Sequence, residues 1–145
     1  MNNIDMNSVV KAGGIAAGVS IVLNILGLIP FIGVFFGILT LCFGIFIPIG
    51  GGMLYGYFAE GEEDTQTAAI GGALAGGTAG VISAIVGAVI AGIAGTFTGG
   101  IEEGLAAGVG GGIFGTICLG IAGFVLGAIG GAIWPMIQSN FAGRN

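Results

Sequence analysis

Formal charges fall at only a few places along this chain. Residues 12–59, 65–101 and 104–143 carry none, and each of these stretches is dominated by Ile, Val, Leu, Phe, Ala and Gly. One crossing of a bilayer needs about 20 apolar residues. The first stretch is long enough for two helices, and Pro30 in "LGLIPFIG" marks a break, because the residue before a proline is pushed out of the helical region. The spacing predicts four helices, over residues 9–29, 32–58, 66–97 and 103–134. The last two are each about 45 Å long at 1.5 Å per residue, more than the ~30 Å hydrocarbon core. They must tilt, project into the headgroups or break.

Inside the third helix, small residues recur at every fourth position: Gly72, Gly76, Gly80, Ala84, Ala88 and Gly92. On a helical wheel Gly72, Gly76, Gly80, Gly87 and Gly95 share one broad side, with Ile82, Ile85, Val86, Val89, Ile93 and Phe97 opposite. The fourth helix divides likewise. Gly104, Gly108, Gly112, Gly120, Gly123, Gly127 and Gly131 lie on one side, and Phe114, Ile117, Ile121, Phe124 and Val125 on the other. Lipid tails are as apolar as leucine, so helices in a membrane associate through close packing of small residues. Glycine's usual penalty is offset there, since an unpaired peptide group in hydrocarbon costs several kcal/mol. The fold expected is therefore all-α and integral to the membrane. Four transmembrane helices form a single domain over residues 1–145, packed through small-xxx-small (glycine-zipper) faces. A face this broad can close the bundle itself or receive a partner, and both readings stand open. A 40-residue shift aligns Glu62-Glu63 with Glu102-Glu103 and Gly80 with Gly120, which suggests two antiparallel copies of one helix.

Composition narrows the class. Hydrophobic residues make up 55% of the chain and charged residues 6%, against roughly 25% charged in soluble domains. Mean hydropathy is +1.12. The 34 glycines follow no G-X-Y register and come with only 3 prolines, which excludes collagen. The start carries Asp5 and no basic cluster, so no cleaved signal peptide is expected. Lys11 and Arg144 are the only cations. The positive-inside rule places both termini in the cytoplasm of a multi-pass cell-membrane protein. Tyr55, Tyr57 and Trp134 fall on that side as a one-sided aromatic belt, and the acidic run Glu60–Asp64 faces the same way.

Candidate chemistry is sparse. The chain has no histidine, which removes imidazole ligation and the commonest acid–base group. Away from the first turns, no Asp, Glu, Lys or Arg lies within a predicted span, unlike pumps, ion-coupled transporters and voltage sensors. The glycine runs lack the lysine of a phosphate-binding loop, and Glu60–Asp64 lacks the alternating ligands of a calcium loop. Cys42 and Cys118 read as buried structural thiols, Asn24 as a hydrogen-bonding residue between helices, and Ser83 as a hydroxyl without a base. With a net charge of −5, nucleic acid is not an expected partner. No catalytic residue, metal site or cofactor is expected. Pro48 with Gly50, Gly51 and Gly52 predicts a kink or break in the second helix, since proline removes a backbone hydrogen bond. Broken helices of this kind also line cavities in transporters.

The order "IPFIG", then "GGGMLYGYFAEGEEDTQTAAIGGALAGG", resembles small glycine-rich membrane proteins common in archaea and other prokaryotes. The resemblance covers mainly residues 30–90. It implies the same four-helix layout and carries over no activity. The expected function is non-enzymatic: a structural or accessory packing subunit of a larger membrane assembly or a homo-oligomer. Its partners would be membrane lipids and other transmembrane subunits or further copies of the chain. The alternative is an oligomeric pore or passive channel for small solutes.

Overall fold

The computed structural model describes residues 4–27, 29, 46–59 and 64–142. Among them the chain forms four helices and no strand. Helix α1 spans Met6–Gly27, α2 Phe46–Phe58 and α3 Thr65–Gly99. Helix α4 begins at Ile101–Leu105, passes through a π-helical turn at Ala106–Gly110 and continues through Gly111–Ala142. The segments Met6–Leu26, Thr65–Gly99 and Ile101–Asn140 are long and apolar enough to cross a membrane. That is consistent with a multi-pass membrane protein. The turn expected at Pro30, residues 32–45 of the second predicted helix, Cys42, Glu60–Glu63 and Arg144 lie outside the described residues.

Local chemistry accounts for the helix ends. The Asp5 carboxylate caps α1, accepting from the Asn7 amide (3.0 Å) and from the Ser8 hydroxyl (2.5 Å), and so satisfies donors that a helix start leaves unpaired. Between α3 and α4 the sequence predicted a loop, yet Gly100 alone separates them. Its φ of 92° and ψ of −179° fall in a region open almost only to glycine. The Gly100 amide donates to Thr96 O and the Gly104 amide to Gly100 O, so the reversal leaves few backbone groups unpaired. Glu102 and Glu103 occupy the first turn of α4, where the helix dipole favours anions.

Helix α3 is central: it contacts α1, α2 and α4, and its longest contact is with α4. Helix α2 touches α1, α3 and α4, whereas α1 and α4 do not meet. The pairs are α3–α4 antiparallel, α2–α3 antiparallel, α1–α3 parallel and α2–α4 parallel. The start of α1, the end of α2, the start of α3 and the end of α4 therefore share one end of the bundle. At 1.5 Å per residue, the 35 residues of α3 reach about 52 Å, and α4 is longer still. The hairpin thus exceeds a hydrocarbon core, as expected, and α4 interrupts its regular winding only at the π-turn.

The interior is made of small residues. The buried apolar residues are Val9, Tyr55 and a set of alanines that includes Ala12, Ala16, Ala68, Ala75 and Ala84. Large side chains lie outside: Phe97 is 88% exposed, Phe114 73% and Ile113 63%. A water-soluble protein buries such residues. This arrangement suits a solvent as apolar as the side chains themselves.

Two expectations about individual side chains are corrected. Tyr57 and Trp134 meet edge to face at 5.8 Å at the shared end. Tyr55 is not part of that belt, because its ring is fully buried against Gly71 and packs with Val9, Ala12 and Ala75. Cys118 is a free, exposed thiol rather than a buried one, because it sits on the Phe114–Ile121 side of α4.

Candidate functional site: the small-residue contacts and the cavity beside them

Along α3, residues Ala68, Gly72, Gly76, Gly80, Ala84, Ala88 and Gly92 approach α4 in sequence order, opposite Gly131, Gly127, Gly123, Leu119, Gly115, Gly112 and Gly108. The contacts are backbone to backbone in the middle. A Cβ added at Gly76 would overlap the Gly123 carbonyl and lie 2.8 Å from Gly127 Cα. One added at Gly131 would lie 3.1 Å from Gly72 Cα. At Gly92 the spacing is looser, with the nearest atoms, Gly104 O and Gly108 Cα, 3.4 Å away, and it tightens again toward the hairpin tip, where a Cβ at Gly104 would lie 2.7 Å from Gly92 O and 2.8 Å from Thr96 N.

A repeat of four exceeds the 3.6 residues of an α-turn, so the contact line moves about 40° around α3 at each step. Two helices follow such a line by winding about each other in the right-handed sense. Gly104 and Gly131 are about half a turn out of phase on a regular α-helix, yet both pack on α3. The π-turn at Ala106–Gly110 lies between Gly104 and Gly112. Its i→i+5 bonds take up a surplus residue, and the helix faces α3 on both sides of it.

Of the residues singled out from the sequence, Gly72, Gly76, Gly80, Gly95, Gly108, Gly112, Gly120, Gly123, Gly127 and Gly131 all meet the α3–α4 partner. Gly87 does not. It turns toward α1, where its nearest neighbour is Asn24 Oδ1 at 4.0 Å from an added Cβ. Helix α2 is continuous from Phe46 to Phe58, so Pro48 falls in its first turn and Gly50–Gly52 follow within it; the part of the predicted helix before Phe46, across which a kink at Pro48 was expected, lies outside the described residues. Two of these glycines make interhelix contacts. Gly51 meets Ala16 of α1, Gly52 converges on Gly127 and Gly131 of α4, and Gly50 has no neighbour within 4 Å.

Sequence periodicity missed a second set: Gly13, Gly56, Gly71, Gly77 and Gly130. Gly13 packs on Ala75 and Thr78, Gly56 on Trp134, Gly71 on Tyr55, Gly77 on Phe124 and Gly130 on Ile49. The signal available was the glycine doublet. Adjacent residues point about 100° apart on a helix, so a doublet presents small surface in two directions. Gly71 faces α2 while Gly72 faces α4; Gly51 faces α1 while Gly52 faces α4; Gly130 faces α2 while Gly131 faces α3. The Gly76–Gly77 doublet instead sets both residues against α4, and Gly56 stands outside any doublet.

A cavity of about 540 Å³ lies between α1, α3 and α4, with Ile47 and Pro48 at its α2 end. Its walls are mostly small, among them Ala84, Ala88, Gly111 and Gly115, and its polar groups are Ser20, Asn24 and Ser83. Each of these bonds back to its own helix. Ser20 Oγ donates to Ala16 O at 3.0 Å, Asn24 Nδ2 to Ser20 O at 2.7 Å, and Ser83 Oγ to Ala79 O at 2.7 Å. Asn24 was expected to bond a neighbouring helix; its amide instead takes a carbonyl of α1. Hydroxyls of Thr78, Thr96 and Thr116 fold back in the same way, which keeps donors paired where no water is present. No group of His, Cys, Asp or Glu able to hold a metal ion occurs among the described residues. No family model matches the chain, and neither a curated protein nor a solved structure matches it.

Proposed function

We propose that this chain is a four-crossing integral membrane protein, with both termini in the cytoplasm, that acts as a packing subunit. It would join a larger membrane assembly or further copies of itself through glycine-zipper faces, without catalysis. The observation that carries this reading is what the bundle leaves unused. Gly14 and Gly18 on α1, and Gly110 on α4, have nothing within 4 Å of an added Cβ among the described residues. Gly13, the doublet partner of Gly14, is occupied within the bundle, so the Gly14–Gly18 side of α1 has room for one more neighbour. Supporting it, Ile15, Val19, Val22 and Ile25 around Gly14 and Gly18 are exposed, as suits a helix flanked by lipid or by another membrane helix.

The test is native mass spectrometry of the protein extracted gently from its own membranes, with Gly14→Leu/Gly18→Leu compared against wild type. The expected result is an assembly, homomeric or mixed, that the double variant loses while its helix content is unchanged. A wild-type monomer, or an assembly indifferent to the substitutions, overturns the proposal. The second reading is a passive path for small solutes, favoured by the cavity of about 540 Å³ with its small walls. Solute flux across reconstituted liposomes above that of empty vesicles would support it, and flux equal to empty vesicles would remove it.

A further inference from the structure

We draw no further inference here: the strongest candidate, the cavity of about 540 Å³ between α1, α3 and α4 beside Pro48, belongs to the site already described, and nothing in the structure shows what covers it.

Discussion

The same chemical change, glycine to alanine, should have opposite signs at two positions of this protein. At Gly127 on α4 an added Cβ would overlap the Gly72 carbonyl oxygen and sit 3.0 Å from Gly76 Cα and 3.1 Å from Gly72 carbonyl carbon. All three atoms are backbone, so no rotamer change relieves the contact; α3 and α4 must separate. Overpacking a close-packed site costs about 1–3 kcal/mol, and an unyielding backbone puts Gly127→Ala toward the upper end. Alanine's better helix propensity returns at most about 0.8–1.0 kcal/mol, and less in hydrocarbon, where glycine's penalty is offset, which leaves a net loss of roughly 2–3 kcal/mol. At Gly14 on α1 nothing among the described residues lies within 4 Å of an added Cβ, so only the propensity term acts in the isolated chain, and Gly14→Ala should stabilise by up to about 1 kcal/mol. Gly92→Ala, where the new Cβ meets its neighbours at 3.4 Å, should be near neutral. The assay is reversible unfolding of the monomeric protein in bicelles, read by circular dichroism and by energy transfer between labels on α3 and α4. Equal stability of Gly127→Ala and Gly14→Ala would refute the close approach of the two backbones.

Three further outcomes follow from the geometry. In a background with Cys42 and Cys118 replaced by Ser, the pair Ala84→Cys/Gly115→Cys should oxidise to an intramolecular disulfide. Ala84 Cβ lies 4.0 Å from a Cβ built at Gly115, inside the 3.5–4.5 Å that a disulfide spans; Ile85→Cys with Gly115→Cys should not close, and gel mobility under non-reducing conditions distinguishes them. Deleting Ala107 should convert the π-turn into α-helix and leave the 84–115 crosslink intact. Deleting Ile121 from the regular part of α4 should abolish it, by turning one flank about 100°. Asp5 gives a pH dependence whose sign is set by its capping bonds. The Ser8 hydroxyl first, with the Asn7 and Ser8 amides and the charge of Lys11 adding to it, holds its carboxyl below the ordinary range against an opposing desolvation. A lowered folded value means the cap is fully present above the unfolded value of about 3.9 and is lost as pH falls through the lower folded value. Protection of the first-turn amides of α1, taken relative to their intrinsic exchange rates, should therefore fall on acidification below that point, and Asp5→Asn should flatten the response.

How much was legible before folding depends on how local each property is. The three apolar stretches between charges set the membrane class and the helical character, because a peptide group in hydrocarbon is satisfied only within a helix or a closed barrel. The small residue at every fourth position of α3 likewise announced a close contact along one line, and that line is the α4 interface. The wheel could not say which neighbour each glycine of that broad side meets: Gly87, on the same side as Gly80, turns toward α1 rather than α4. The run after Pro48 was read as a weak point in α2. It became the place where Gly51 meets α1 and Gly52 meets α4. Whether a glycine loosens a helix or admits a neighbour depends on what lies beside it, and that is not a local property.

By itself, then, the sequence determined that this chain is helical, that its helices are long and apolar enough to cross a membrane, and that its small residues recur at helical spacing. Solvent and residue volume decide those matters, and both are written along the chain. Only the tertiary structure decided that α3 stands at the centre and that the backbones of α1 and α4 stay apart. It also buried Tyr55 on Gly71, placed a π-turn between Gly104 and Gly112, and left Gly14 and Gly18 without a neighbour among the described residues. Each of these depends on how four helices divide a limited number of close approaches among themselves. Every glycine offers the same small surface, and only the packed arrangement selects which neighbour takes it.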